Sequence, residues 1–391
     1  MMPLKKIITV FGTRPEAIKM APVVLALEQS DCFESVVCVT AQHRAMLDQV
    51  LNLFEIVPQY DLDVMKPNQD LYQVTAAVLL GLKPVFEKEQ PHMVLVHGDT
   101  TTTMATALAA FYQKIPVGHV EAGLRTWDPY YPFPEEMNRV ITDNIAQLYF
   151  APTPLSKNNL LKCGIAPEKI AVTGNTVIDA LLYTLERDVH TTESLGEASV
   201  GAIPVLEPDK RLILMTVHRR ENFGAPLLEI CRAITTLCQL FKDIVVVIPV
   251  HPNPNVSQTI YAQLGNHPQV QLIPPQDYAP FCQLMAKATL ILTDSGGIQE
   301  EAPSLSKPVL VLRDETERPE AVELGTVKLV GPHYETIVEA STQLLKDPDA
   351  YAAMAKRHNP YGDGKAARHI VNRIQGFFEK TAQSELATAL E

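Results

Sequence analysis

The sequence predicts an α/β protein of two Rossmann-like, doubly wound domains facing across a cleft. Three observations lead there. Short apolar runs alternate with longer helical patterns along most of the chain, which is how βα units and parallel sheets read. The alternation stops at a looser, acidic stretch from Arg187 to Lys210 and then begins again. The 391 residues also exceed one ordinary core, on the usual scale of roughly 100–200 residues per domain.

The elements follow in order. Ile7-Ile8-Thr9-Val10-Phe11 marks a first strand over 6–11, which breaks at Gly12 into Thr13-Arg14-Pro15-Glu16 and a helix over 15–29. Gly12 permits a tight turn, Pro15 suits the first helical position, and the free N–H groups of that helix face the same space as Arg14. This reads as half of a phosphate-binding site, although an Arg14 that pairs with a surface acid would leave the same residues. Further strands fit at 35–40, 93–97, 116–120, 147–151 and 170–173, with helices at 43–54, 69–89, 101–113, 134–146 and 154–163. The chain is expected to cross near Gly174-Asn175-Thr176, dividing it into 1–174 and 175–364. The second series has strands at 212–217, 244–249, 270–273, 289–293, 308–312 and 327–330. Its helices fit at 224–241, 255–265, 278–286, 297–303, 317–323 and 334–345. Asn359-Pro360-Tyr361-Gly362-Asp363-Gly364 then breaks the chain before a last helix over 365–380. The cleft between two such domains is the default ligand site.

Composition narrows the partners. Thirty-three Lys+Arg against 45 Asp+Glu leave a formal net charge of −12, which disfavours nucleic acid and anionic membranes as general partners. A phosphate site must therefore be local. The cysteines, Cys32, Cys38, Cys163, Cys231, Cys238 and Cys282, form no C-x-x-C pair, and most fall inside apolar patterns, as reduced thiols of a cytoplasmic protein do. The apolar run Ile7–Phe11 is too short for a signal segment, and no later run approaches a membrane span.

Chemistry-bearing residues cluster at predicted strand ends. His97-Gly98-Asp99 puts Asp99 on the rim, where it could equally cap the next helix. Gly118-His119-Val120-Glu121 puts Glu121 on the same rim, with Arg125 as a possible local partner. Glu135 and Glu136 open a helix, where acids commonly complement the dipole. Glu135 gains weight from the aromatic, proline-rich loop before it, and dipole complementation suffices for Glu136. In the second series His218-Arg219-Arg220-Glu221-Asn222 brings an imidazole beside two guanidiniums, suited to a diphosphate or to internal pairing on a solvated loop. Thr293-Asp294-Ser295-Gly296-Gly297 lets backbone N–H groups approach phosphate, and Glu301 one turn on could accept from a ribose diol. There is no G-x-G-x-x-G with a downstream acid, no P-loop, no H-E-x-x-H and no G-x-S-x-G. Dinucleotide redox chemistry, nucleotide hydrolysis by a P-loop and a motif-bound metal are not indicated.

Taken together, Phe11-Gly12-Thr13-Arg14-Pro15-Glu16-Ala17-Ile18-Lys19-Met20-Ala21-Pro22, His97-Gly98-Asp99-Thr100, Val120-Glu121-Ala122-Gly123-Leu124-Arg125, Pro134-Glu135-Glu136, Asn138-Arg139, Thr293-Asp294-Ser295-Gly296-Gly297 and Glu317-Arg318-Pro319-Glu320 closely resemble the non-hydrolysing UDP-N-acetylglucosamine 2-epimerases. The resemblance spans nearly the whole chain. It implies the glycosyltransferase-B architecture, with the 365–391 segment returning to the first domain, and a homodimer. It implies interconversion of UDP-GlcNAc and UDP-ManNAc, with no metal or redox cofactor, to supply surface-polysaccharide precursors. By resemblance Asp99, Glu121 and Glu135 are the catalytic carboxylates, with Lys19, His218 and Arg14 near the diphosphate or sugar. Ser295, Gly296, Gly297 and Glu301 match UDP-binding positions, and Phe281 matches an apolar contact near the uracil, although ordinary core would also explain it. A related UDP-sugar, a hydrolytic relative, a glycosyltransferase and a UDP-sugar sensor are the competing readings. The last two have less use for Asp99, Glu121 and Glu135 together.

Overall fold

The computed structural model describes residues 4–41, 44–66, 68–191 and 209–390. Two compact units emerge, Met1–Leu182 with Tyr361–Glu391, and Tyr183–Pro360.

The first unit runs β1 (Lys5–Phe11), α1 (Arg14–Glu28), β2 (Phe33–Val39), α2 (Arg44–Leu53), β3 (Tyr60–Asp61), α3 (Leu71–Glu89), β4 (Met93–His97), α4 (Thr101–Tyr112), β5 (Val117–Val120), α5 (Glu135–Ile145), β6 (Leu148–Ala151), α6 (Pro154–Lys162), β7 (Ile170–Val172) and α7 (Thr176–Thr191). Its strands form one sheet in the order β3-β2-β1-β4-β5-β6-β7, every ladder parallel. Strands of such sheets are covered on both faces, and so they read as continuous apolar runs. All of Met93–His97 is buried, for example. Two findings depart from the sequence reading. β3 is only two residues long and pairs Tyr60 with Cys38, too short to leave a hydrophobic pattern. A helix, α7, stands where a crossing was expected at Gly174–Thr176, and the first unit continues into it as far as Leu182.

The second unit runs β8 (Arg211–Thr216), α8 (Ala225–Leu240), β9 (Ile244–Pro249), α9 (Pro254–Leu264), β10 (Val270–Ile273), α10 (Tyr278–Lys287), β11 (Leu290–Thr293), α11 (Gly296–Glu301), β12 (Val309–Val311), α12 (Pro319–Glu323), β13 (Val327–Leu329), α13 (Tyr334–Lys346) and α14 (Pro348–Ala355). Its parallel sheet has the order β10-β9-β8-β11-β12-β13. In both sheets the order reverses beside the first strand of the series, at β1/β4 and β8/β11, the switch points where α/β sheets bind ligands. Helix α14 was not expected. The acidic stretch beyond Thr191 lies largely outside the described residues.

The last helix, α15 (Ala366–Leu390), packs on α1 in the first unit. Its first turn is capped from outside, because Asp179 of α7 accepts the N–H groups of Ala366 at 3.2 Å and Ala367 at 2.9 Å. Tyr361 and Asn175 join the same region, the Asn175 N–H donating to the Tyr361 carbonyl at 2.7 Å. Among the described residues no helix is long and apolar enough to cross a membrane, and none of the cysteines forms a disulfide.

Gly123, two residues beyond Glu121, has φ +91°. A Cβ there would press on the Ser156 carbonyl and approach Leu160 Cγ to 2.9 Å, and both neighbours sit in α6. Gly123→Ala therefore combines a left-handed backbone with overpacking, and is expected to destabilise the protein by about 2–4 kcal/mol. A lowered urea midpoint checks this, and a wild-type midpoint would contradict it.

Candidate active site

In the first unit the site residues stand at the carboxyl ends of β1, β4 and β5, which are neighbours in the sheet. The turn after β1 is closed by a capping box between Thr13 and Glu16. Glu16 is buried and accepts four hydrogen bonds. Its Oε2 takes the N–H of Gly12 at 3.0 Å and of Thr13 at 2.8 Å, while Oε1 takes the hydroxyls of Thr100 at 2.6 Å and Thr103 at 3.3 Å. One carboxylate thus ties the turn that carries Arg14 to the turn that carries Asp99. Gly12 has no alternative at this crossing, since a Cβ would collide with the Thr40 hydroxyl. Arg14 is half-buried. No acid pairs with it among the described residues, so the surface-pair reading of Arg14 is not what the structure has.

Asp99 does not cap α4; Thr100 does, accepting the Thr103 N–H at 3.1 Å. The Asp99 carboxylate instead meets Arg139, whose Nε and a terminal nitrogen both donate to Oδ2, at 3.0 and 2.6 Å. Oδ1 has no protein donor among the described residues. Glu121 sits in left-handed backbone at φ +60°, and its Oε2 accepts from Lys19 Nζ at 2.5 Å and His97 Nε2 at 3.2 Å. Burial pushes this carboxyl up, but Lys19 and His97 outweigh it and hold Glu121 well below the usual carboxylate range. Here too one oxygen, Oε1, is left without a protein donor among the described residues. Asp99 and Glu121 are therefore both held by one oxygen and open at the other.

The local Glu121–Arg125 pair does not form. Arg125 turns instead to buried Asp143, which also meets His119 Nδ1 at 2.6 Å, and His119 Nε2 donates to the Gly98 carbonyl at 2.8 Å. Asp143 is fully buried, which raises it, yet His119 and Arg125 bring it below its ordinary value. Glu135 stands half-buried at the start of α5 with no hydrogen-bond partner among the described residues. Glu136 does more than complement a dipole: it is buried and accepts from the Thr126 and Trp127 amides and from Arg139.

In the second unit a pocket of about 270 Å³ is lined by His218, His251, Gln276, Phe281, Ser295, Gly297 and Glu301, among others. Its organiser is Asp294, at the end of β11 and fully buried. It accepts the amide N–H of His218 at 2.9 Å and of Arg219 at 2.8 Å, the Asn222 side chain at 3.0 Å, and His218 Nδ1 at 3.0 Å. Burial raises Asp294, but His218 and the turn amides prevail and lower it. With Nδ1 donating to Asp294, His218 is left with Nε2 for a ligand. His251 stacks on it, ring centres 5.8 Å apart, and burial together with the His218 charge lowers the His251 pKa. At the Ser295–Gly297 turn, a Cβ on Gly296 would stand 3.9 Å from Arg219 and 3.8 Å from Arg318. Two guanidiniums therefore flank the first amides of α11, which have no intrahelical acceptor. Glu301 Oε1 accepts the Tyr278 hydroxyl at 2.7 Å. Phe281 is half-buried in the pocket wall and is not a core residue. Gln276, which sequence reasoning missed, lines the same pocket with a buried Oε1 that has no donor among the described residues. A lone glutamine between Pro275 and Asp277 carries no motif, whereas Asp294 stood within T-D-S-G-G and was read there only as part of the turn. Among the described residues no group of three or more histidine, cysteine or acidic side chains could hold a metal ion.

Comparison with known proteins gives the family. A family described as UDP-N-acetylglucosamine 2-epimerase matches residues 25–375. The UDP-N-acetylglucosamine 2-epimerase of Escherichia coli K12 is 57% identical over 370 residues, covering 95% of this chain and 98% of its own. The chain belongs to the UDP-N-acetylglucosamine 2-epimerase family. Among solved structures, the UDP-GlcNAc 2-epimerase of Neisseria meningitidis bound to UDP-GlcNAc matches with a TM-score of 0.85 at 54% identity, over 95% of this chain and 100% of that one. The Methanocaldococcus jannaschii enzyme in complex with UDP-GlcNAc and UDP matches with a TM-score of 0.74 at 35% identity, over 95% and 99%. UDP-N-acetylglucosamine 2-epimerases are isomerases, and this chain has their α/β architecture of two doubly wound domains.

The Glu121 pairing predicts how stability depends on pH. The folded carboxyl lies below its ordinary 4.5, so on acidification the unfolded chain takes the proton first. The stabilisation is then present above about pH 4.5 and is lost as pH falls further. Glu121→Gln lacks this contribution, so the gap between wild-type and variant urea midpoints is expected to be widest near neutrality and to shrink below pH 4.5. A gap constant from pH 7 to 3 would contradict the pairing.

Proposed function

We propose that this chain is a non-hydrolysing UDP-N-acetylglucosamine 2-epimerase, interconverting UDP-GlcNAc and UDP-ManNAc for polysaccharide precursor synthesis. The observation that carries the reading is the pair of carboxylates Asp99 and Glu121, at the ends of adjacent strands, each anchored through one oxygen and open at the other. The relatives solved with UDP-GlcNAc or UDP bound support the ligand class.

The chemical difficulty is the sugar C2–H, which has no neighbouring carbonyl to acidify it. Cleaving the anomeric C1–O bond first removes that difficulty. As UDP departs with the bonding electron pair, positive charge develops at C1, and a carboxylate can take the C2 proton to leave 2-acetamidoglucal. Returning a proton to the opposite face of C2, while UDP adds back at C1, gives the epimer. Two faces need at least two acid–base groups, and Asp99, Glu121 and Glu135 are the candidates. Lys19 keeps Glu121 ionised between turnovers. Arg14, His218 Nε2 and the Ser295–Gly297 amides would meet charge growing on the diphosphate. In the second unit's pocket Glu301 would accept from the ribose, while Phe281 and the Gln276 oxygen, without a donor among the described residues, suit a ring with an N–H edge. In the same reading the enzyme is a cytoplasmic homodimer. Exposed Leu80 of α3 and Phe111 and Tyr112 of α4 are apolar side chains that such a dimer would cover.

Proton NMR of the protein with UDP-GlcNAc in D2O tests the proposal. UDP-ManNAc carrying deuterium at C2 is expected, and Asp99→Asn should lower its formation by about 100- to 10,000-fold while UDP still binds. Free N-acetylmannosamine plus UDP would instead identify a hydrolytic enzyme. An unchanged spectrum from protein that binds UDP would contradict UDP-GlcNAc as the substrate.

A further inference from the structure

Helix α5 grips the Asp99 turn by both backbone and side chain. Asn138 Nδ2 donates to the Asp99 carbonyl at 2.9 Å, and Arg139 donates twice to Oδ2. The remaining Arg139 nitrogen donates to Glu136 Oε2 at 2.8 Å. Glu136 is itself a fastening for another segment. Its Oε2 also accepts the Thr126 N–H and its Oε1 the Trp127 N–H, both at 3.1 Å. These amides root the 126–134 loop, whose Trp127, Tyr130, Tyr131 and Phe133 side chains are exposed. Trp127 has φ +67°, a conformation that a bulky residue keeps only where its surroundings impose it. The hydrogen bond its N–H donates to Glu136 is such an imposition.

A guanidinium is planar, and its donors keep a fixed mutual geometry. With one edge on Asp99 and the other on Glu136, Arg139 sets the two carboxylates relative to each other. Both Glu136 oxygens are in turn committed to the loop root. The Asp99 carboxylate and the loop root therefore cannot shift independently while the guanidinium bridges them. We propose that Arg139 is a positioning residue for the reaction, setting Asp99 and the 126–134 loop as one unit, so that a sugar engaged at Asp99 is registered at Trp127. The inference rests on the reading of Asp99 as a carboxylate that acts on the sugar.

Lysine at 139 would keep the charge but offer one nitrogen in place of a fork, and so could not span both carboxylates. Trp127 is the only tryptophan in the sequence, so its fluorescence reports the loop without any label. Wild type, Arg139→Lys and Glu136→Gln are titrated with UDP and with UDP-GlcNAc, and kcat and KM are measured alongside. UDP-GlcNAc is expected to change wild-type emission where UDP alone does not. Arg139→Lys should bind UDP as wild type does, lose that emission change, and lose about 100-fold in kcat with little change in KM. Glu136→Gln, which still offers a carbonyl to the loop but only one acceptor oxygen, should lose both in part. Wild-type emission that ignores saturating UDP-GlcNAc would overturn the inference. So would an Arg139→Lys protein with native melting temperature and full kcat. Should Arg139→Lys fail to fold, full kcat and an intact emission change in Glu136→Gln would overturn it equally. A wild type that gives the emission change, lost in Arg139→Lys, but turns nothing over would count against the epimerase reading and leave the coupling standing.

Discussion

Buried carboxylates at strand ends, saturated by the N–H and O–H groups of neighbouring turns, are the constraint on which both sites depend. Glu16 in the first unit and Asp294 in the second are the two instances. Each lies where a parallel sheet reverses its order, and there the chain must present unpaired backbone groups in turns without letting those turns wander. A carboxylate serves because it offers several acceptor positions at a point where helix dipoles and free amides supply only donors. Glu16 uses all its capacity on Gly12, Thr13, Thr100 and Thr103, and so fixes two turns against each other. Asp294 does the same for His218 and Arg219 while also orienting the imidazole.

The groups facing ligand are then left with a defined remainder. Once Arg139 has taken Oδ2 of Asp99 and Lys19 with His97 has taken Oε2 of Glu121, one oxygen of each is open. Once Asp294 has taken Nδ1 of His218, Nε2 is open. The site is thus specified largely by what its supporting residues consume. In a chain of formal net charge −12, Arg14 has no acid partner among the described residues, while Arg219 and Arg318, paired with Glu317 and Glu300, stand beside the first amides of α11.

Much of this was legible in the sequence, for identifiable reasons. Buried parallel strands such as β4 carry uninterrupted apolar runs, here Met93–Val96, and strand-end motifs place Arg14, Asp99, Glu121, His218 and Ser295 without any knowledge of packing. β3 was not legible, because two residues carry no period. Helix α7 does carry an apolar stripe, Val177, Ile178 and Leu181 all buried, but Gly174 beside it reads as a break. Partners were the least legible feature. Arg125 sits four residues from Glu121 and pairs with Asp143, eighteen residues away; Asp99 and Arg139 are forty apart. Such pairs are decided by which helix returns over which strand end, and spacing along the chain does not contain that information.

The central claim is that these turns are set before any ligand arrives. Native-state hydrogen exchange at the amides of Gly12, Thr13, His218 and Arg219 in the ligand-free protein tests it most directly. Amides held by buried carboxylates should exchange only through unfolding of the unit that contains them, as slowly as the sheet strands beside them. Exchange at ordinary loop rates, slowed only when a UDP-sugar is added, would mean that the ligand orders the turns and that Glu16 and Asp294 do not.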